Sequence, residues 1–91
     1  RGGLVKAMKQ QKKVVITGAS SGIGRAAAVR FAQEGWDVCL VARRETLLQG
    51  VLGQLPSGNH IVCAGSYDDP ETTSRLEQIL EEKWQSVDAL V

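Results

Sequence analysis

The chain has 91 residues, with 11 basic and 10 acidic side chains that leave a net charge of +1. This length suits one small domain, and the interspersed charges argue against nucleic acid or an anionic membrane as the main partner. No apolar run approaches the roughly 18 residues that span a membrane, so we expect no membrane segment. The two cysteines, Cys39 and Cys63, lie in apolar runs, which favours reduced core thiols and a cytoplasmic location.

Residues 1–12 carry several lysines without hydrophobic periodicity, and we expect a flexible N-terminal tail there. Apolar runs beyond the tail predict strands over residues 13–17, 37–42, 60–64 and 87–91. Amphipathic segments between them predict helices over about 22–34, 43–55 and 70–86. The single histidine, His60, stands at a strand end and is expected to be structural. The alternation of strands and helices predicts an α/β fold with a doubly wound parallel sheet.

A glycine loop, Thr17-Gly18-Ala19-Ser20-Ser21-Gly22-Ile23-Gly24, joins the first strand to the first helix. Gly18 allows a turn out of the strand, Gly22 allows a ligand to approach the backbone, and Gly24 allows the helix to pack closely. Since the first N–H groups of a helix have no backbone partner, a phosphate or pyrophosphate suits this position. The alternative is a strand–helix turn without a ligand.

The loop resembles the Thr-Gly-x-x-x-Gly-Ile-Gly signature of the short-chain dehydrogenase/reductase family, and the likeness extends over residues 13–91. The resemblance implies a partial Rossmann-type sheet with strand order 3-2-1-4 and a nicotinamide dinucleotide as cofactor. We therefore predict that residues 13–91 form the dinucleotide-binding portion of a longer protein.

The residues after the second strand indicate which dinucleotide is bound. NAD enzymes of this architecture hold an acid there, which accepts hydrogen bonds from the ribose 2′-OH. The resemblance places Ala42 at the acid position and Arg43 and Arg44 directly after it, ahead of Glu45. Because guanidinium groups bind phosphate bidentately, this pattern predicts NADP(H). The alternative is two solvated arginines at a helix start.

The same resemblance assigns further contacts with the cofactor. It puts the Ser20 hydroxyl at the 2′-phosphate or adenosine ribose, and the backbone of Ser21 and Ile23 at the pyrophosphate. Ser66 stands where the family usually has an Asp that bonds the adenine amino group, and Tyr67 follows it. Ser66 can accept a hydrogen bond and the Tyr67 N–H can reach the adenine ring; ordinary loop residues are the alternative.

No catalytic residue is assigned. The family's Asn-Asn-Ala-Gly and Tyr-x-x-x-Lys motifs follow the fourth strand, and the sequence ends at Val91; its one tyrosine, Tyr67, has Glu71 four residues later. We interpret the chain as the NADP(H)-binding front half of an oxidoreductase for small carbonyl or alcohol substrates, such as a 3-oxoacyl-carrier-protein reductase, homo-oligomeric when complete. On this interpretation the fourth strand presents an unpaired apolar edge. The alternative is a stand-alone, non-catalytic nucleotide-binding or regulatory module.

Overall fold

A computed structural model describes residues 12–19, 21–84 and 87–91. Four strands and three helices alternate along the chain. They are β1 (Lys13–Thr17), α1 (Gly22–Gln33), β2 (Asp37–Ala42), α2 (Glu45–Leu52), β3 (Ile61–Ala64), α3 (Pro70–Lys83) and β4 (Ala89–Leu90). The predicted tail over 1–12 lies outside the described residues except for Lys12, whose carbonyl accepts a hydrogen bond from the Asp37 N–H at 2.9 Å.

The four strands form one parallel sheet in the order β3-β2-β1-β4, which confirms the predicted fold class and strand order. In its register, Val15 of β1 pairs with Cys39 of β2, and Cys39 pairs with Ile61 of β3. All six residues of β2 are buried, because this strand has a neighbour on each side and helices above and below. Apart from Asp37 at its start, the strand is apolar throughout, as such a position requires.

The two faces of the sheet have separate cores. On one face, α1 and α2 pack on alternate strand residues such as Val14, Ile16 and Leu40. On the other, α3 packs on a cluster that includes Val15, Cys39 and Val41. Strand side chains alternate between the faces, so β1, β2 and β3 each contribute to both cores.

The N-terminus of α3 follows its sequence signals. The Asp69 carboxylate accepts a hydrogen bond from the Glu71 N–H at 3.0 Å, and Pro70 occupies the first turn. Such a cap provides an acceptor for one of the first backbone N–H groups, which have no acceptor within the helix. The other end was predicted too late in the sequence. The helix ends at Lys83, before Trp84, rather than at 86, and residues 85–86 lie outside the described ones.

Three other predicted boundaries need correction. The second helix begins at Glu45 and ends at Leu52, within the predicted 43–55. The third strand begins at Ile61 rather than 60, because the His60 side chain, not its backbone, bonds to β2: Nδ1 accepts from the Val38 N–H at 3.1 Å. The strand β4 is limited to Ala89–Leu90.

The edge strand β4 leaves apolar side chains accessible. Its neighbour is β1, with Val14 opposite Ala89 and Val15 opposite Leu90. Leu90 is 59% exposed and Val91 is 52% exposed. This agrees with the apolar edge expected from the sequence. Every helix in the described residues is too short or too polar to cross a membrane.

Candidate functional site

The glycine loop lies at the carboxyl-terminal end of β1 and is held by backbone hydrogen bonds. Gly18 turns the chain with φ of +65°, a region that favours glycine. The next residue, Ala19, is fully buried, and its N–H donates to the Val41 carbonyl of β2 at 3.1 Å. The loop is therefore anchored to the neighbouring strand before the helix begins.

Ser21 is the N-cap of α1. Its hydroxyl accepts a hydrogen bond from the Gly24 N–H at 3.2 Å and donates to the Gly18 carbonyl at 2.8 Å. Gly24 packs so closely that a Cβ would collide with the Gly18 carbonyl oxygen and lie 2.8 Å from its carbon. The side chain of Ser21 thus shapes the loop, and Gly24 permits the close packing predicted for it.

Gly22 and Ile23 form the open part of the loop. A Cβ on Gly22 would meet nothing within 4 Å, and the Ile23 side chain is 87% exposed. No described residue accepts a hydrogen bond from the N–H of either. These donors lie at the positive end of the α1 dipole, so the loop can bind an anion through its backbone. Ser20, also predicted here, lies outside the described residues.

Arg43 and Arg44 follow β2 at the same edge of the sheet. Both are exposed, and neither forms an ion pair with a described residue. The backbone of Arg44 caps α2, since its carbonyl accepts from the Leu48 N–H at 3.2 Å. The capping is done by the backbone, so the guanidinium groups are available to an anionic ligand.

A groove of about 650 Å³ joins the ends of the first three strands. It brings together five of the predicted site residues, Gly18, Arg43, Arg44, Ser66 and Tyr67, with Thr17, Ala42, Leu47, Gly65 and Asp68. Ser21, Gly22, Ile23 and Gly24 do not line it; they form the adjoining start of α1. This volume is within the range typical of small-molecule sites.

Ser66 and Tyr67 belong to the loop between β3 and α3. Ser66 is half-buried, and its carbonyl accepts from the Asp69 N–H at 3.0 Å. The Tyr67 carbonyl accepts from the Thr73 hydroxyl at 3.2 Å, and its side chain is 40% exposed. The two carbonyls are engaged in holding the loop, which leaves side chains and N–H groups for a ligand.

Three groove residues were missed by the sequence analysis. Gly65 has φ of +145°, and a Cβ there would collide with Thr72, whose Cγ2 would be 2.8 Å away. A glycine directly after an apolar strand run was the available signal. Asp68 and Leu47 gave no comparable signal, because a polar loop residue and one of several leucines in a helix are unremarkable in sequence.

Two other regions were considered as sites. A larger cavity of about 900 Å³ lies at the opposite, amino-terminal end of the strands, among residues such as Asp37, Asn59 and Trp84. Some of its polar groups bond to one another: the Trp84 indole N–H donates to the Asn59 carbonyl at 3.1 Å, and the Asn59 N–H donates to the Asp37 carboxylate at 3.2 Å. Within the described residues, no cluster of side chains could hold a metal ion.

The cysteines are buried, free thiols, as predicted. Burial, together with a smaller contribution from the neighbouring Cys63, raises the pKa of the Cys39 thiol to about 12. Cys39 is opposite Ile61 and Cys63 is opposite Val41, so the two are offset by two residues along adjacent strands. An offset of about 6.6 Å along strands that lie about 4.8 Å apart puts the two Cα atoms about 8 Å from each other, beyond the ~7 Å limit for a disulfide. Neither thiol is suited to redox chemistry in the folded chain.

Comparison with known proteins identifies the family. The family model described as short chain dehydrogenase matches residues 12–91. This chain belongs to the short-chain dehydrogenase family. It is 44% identical over 68 residues to a glucose 1-dehydrogenase of Gluconobacter oxydans, covering 71% of this chain and 26% of that protein. It is 38% identical over 78 residues to a serine 3-dehydrogenase of Rhizobium radiobacter, covering 86% of this chain and 31% of that protein.

Solved structures agree with this assignment. A short chain dehydrogenase from Bacillus anthracis superimposes with a TM-score of 0.81 at 28% identity, covering 87% of this chain and 34% of that one. The L-sorbose reductase of Gluconobacter frateurii, complexed with NADPH and L-sorbose, superimposes with a TM-score of 0.78 at 30% identity, covering 89% and 32%.

The chain spans between a quarter and about a third of the length of these relatives. Short-chain dehydrogenases are oxidoreductases that bind a nicotinamide dinucleotide, act on small molecules and are usually oligomeric. The residues present here fit the dinucleotide, since open backbone donors at the start of α1 adjoin a groove with two guanidinium groups that form no ion pair with a described residue.

Proposed function

We propose that this chain is the NADP(H)-binding portion of an oxidoreductase that acts on small carbonyl or alcohol substrates. The observation that carries the proposal is the pair Arg43 and Arg44, exposed in the groove directly after β2 and unpaired among the described residues. An NAD-specific site would hold an acid at the end of this strand, where Ala42 stands.

Each part of the cofactor has a counterpart in the chain. The N–H groups of Gly22 and Ile23 would bind the pyrophosphate, and Gly22 leaves room for its approach. Arg43 would bind the 2′-phosphate, with Arg44 adding positive charge beside it. Among the described residues, Asp68 is the one acid that lines the groove, so cationic side chains outnumber acidic ones there by two to one.

The bound cofactor would supply the hydride-carrying nicotinamide. The chain's own contribution would be to hold and orient the dinucleotide at the carboxyl-terminal edge of the sheet. No residue of the chain is proposed as a catalytic acid or base.

The substrate class rests on the relatives. The glucose dehydrogenase, serine dehydrogenase and sorbose reductase carry substrate names that denote small polar molecules with hydroxyl or carbonyl groups. This supports a carbonyl or alcohol substrate, of which a 3-oxoacyl-carrier-protein substrate is one case. We further propose a homo-oligomer at natural length, as is usual in the family, and a cytoplasmic location, which the two free thiols support.

The test is the affinity for the two cofactors. In the protein of natural length that contains this chain, we expect NADPH to bind about 30- to 1000-fold more tightly than NADH, since two charge-assisted hydrogen bonds contribute roughly 2–4 kcal/mol. Arg43→Ala should remove most of this ratio by weakening NADPH alone. Calorimetric titration of wild type and Arg43→Ala with both cofactors measures the four dissociation constants.

Arg30→Ala is the matched control. Arg30 is an exposed arginine on α1 whose Nε lies 2.6 Å from the Glu34 carboxylate, outside the groove. Its removal should leave both dissociation constants unchanged. Equal wild-type affinities for NADPH and NADH would overturn the proposed cofactor preference.

A further inference from the structure

The strand β3 ends with a carbonyl group that has no neighbouring strand to bond to. In the described sheet β3 pairs with β2 alone. The peptide unit that joins Ala64 to Gly65 donates its N–H to the Ala42 carbonyl of β2 at 2.7 Å. The N–H and C=O groups of a trans peptide point in opposite directions, so the Ala64 carbonyl points away from β2, toward the open edge of the sheet.

A side chain of α3 bonds to this carbonyl. The Arg75 guanidinium donates a hydrogen bond through Nη2 to the Ala64 carbonyl oxygen. The peptide unit is thus held on both sides, to β2 through its N–H and to α3 through its C=O. A hydrogen bond from a charged donor is stronger than one from a neutral donor. Arg75 therefore bonds where a further strand would.

This peptide unit determines the direction in which the chain enters the groove. Residues 65–68 follow it and are four of the ten residues that line the groove. The first of them, Gly65, has φ of +145°. Because glycine rotates freely about φ, its own backbone does not fix the loop. The far end of the loop is held separately, since the Thr73 hydroxyl donates to the Tyr67 carbonyl at 3.2 Å.

Arg75 acts on the groove from outside it. Its side chain is exposed, does not line the groove and forms no ion pair with a described residue. Substitution of an exposed side chain usually changes the stability of a protein very little. An effect of Arg75 on the shape of the groove can therefore be measured apart from an effect on the stability of the fold.

We propose that Arg75 is a positioning residue of the dinucleotide site: by holding the carbonyl at the end of β3, it fixes the orientation of residues 65–68 before a ligand binds. This inference rests on the proposed function, which assigns the groove to a dinucleotide. The guanidinium of Arg75 does not touch the ligand. It therefore strengthens the binding of NADPH and NADH equally, whereas Arg43 discriminates between them.

The first measurement is the affinity of the protein of natural length for the two cofactors. Arg75→Ala should weaken NADPH and NADH by the same factor, about 5- to 20-fold, because ordering the loop then opposes binding. Arg75→Lys, which keeps a cationic donor, should bind both within about threefold of wild type. The melting temperature of both variants should lie within about 2 °C of wild type, since the side chain is exposed.

Lys83→Ala is the matched control. Lys83 is the exposed last residue of α3 and does not line the groove. Its substitution removes the same charge from the far end of the same helix, so both dissociation constants should stay at their wild-type values.

The second measurement follows the loop without any cofactor. The Gly65 amide proton bonds to the Ala42 carbonyl, and its exchange with solvent reports how often this peptide unit opens. Exchange measured by NMR should be at least about fivefold faster in Arg75→Ala than in wild type. It should keep its wild-type rate in Lys83→Ala.

Unchanged affinities in Arg75→Ala, or an unchanged exchange rate of Gly65, would overturn the proposal. A loss confined to NADPH would also overturn it, because Arg75 would then bind the 2′-phosphate itself. Equal wild-type affinities for NADPH and NADH contradict only the proposed cofactor preference, and the effect of Arg75 is then measured with either cofactor. If the wild type binds neither, the proposed function fails, and the exchange rate of Gly65 alone decides whether Arg75 holds the loop.

Discussion

The two ends of the sheet use their polar groups differently. At the amino-terminal ends of β2 and β3, side chains bond to the backbone: the Asp37 carboxylate accepts from the Asn59 N–H at 3.2 Å, and His60 accepts from Val38. Because its Nδ1 is an acceptor, the His60 imidazole carries its proton on Nε2, which donates to the Pro56 carbonyl at 2.8 Å. His60 is thus structural, as the sequence predicted.

At the carboxyl-terminal ends, donors and cations remain without partners among the described residues. The N–H groups of Gly22 and Ile23 and the guanidinium groups of Arg43 and Arg44 are examples. The comparison teaches that one end of the sheet stabilises the fold, whereas the other keeps its hydrogen-bonding capacity for a ligand. Substitutions at the two ends should therefore affect different measurements.

The largest effect is expected at Gly22, where the open backbone faces the proposed pyrophosphate. Gly22→Val should weaken NADPH binding more than 100-fold, or about 2.7 kcal/mol, because a branched side chain occupies the ligand's space. The melting temperature should change little, since nothing lies within 4 Å of a Cβ there. Calorimetry of the natural-length protein measures the NADPH dissociation constant, and thermal unfolding measures the melting temperature. Retained micromolar binding would show that the loop is not the phosphate site.

The next effect separates two glycines of the same loop. Gly24→Ala should lower the free energy of unfolding by about 1–3 kcal/mol, because its Cβ collides with the backbone of Gly18. Gly22→Ala should change it by no more than about 1 kcal/mol, in the stabilising direction, because alanine favours the helix. Urea unfolding of the two variants provides the comparison. Similar destabilisation in both would contradict the assigned division between packing and ligand approach.

The smallest effect tests the amino-terminal end. His60→Ala should cost about 1–2 kcal/mol of unfolding free energy, since the Val38 N–H and the Pro56 carbonyl lose their partner. His60→Asn should recover about half, because its amide oxygen can replace Nδ1.

Arg44→Ala, at the other end of the sheet, is the control for this substitution. It should stay within about 0.5 kcal/mol of wild type in unfolding free energy. NADPH affinity should be unaffected in both His60 variants, and a loss of affinity in them would mean that the two ends are coupled.

Much of the fold could be predicted because its signals are local. The apolar run before Gly18, the glycine spacing and the Asp69-Pro70 helix start each specify backbone geometry within a few residues. The stripe of Leu76, Ile79 and Leu80 on α3, continued by Trp84 directly after the helix, likewise predicts a packing face, and all four pack into one core. Strand β3 was less predictable, since a histidine side chain replaces a ladder hydrogen bond where it begins.

The candidate site divides in the same way. The sequence by itself determined the glycine loop and the arginines in place of an acid after β2, because each is encoded in consecutive residues. It also determined the parallel sheet through the alternation of strands and helices, and the strand order through the family likeness. Only the tertiary structure decided that Leu47, Gly65 and Asp68 share a groove with those arginines. The carboxyl-terminal ends of β1, β2 and β3 are more than 20 residues apart in sequence, and the residues that follow them meet only when parallel pairing aligns the strands.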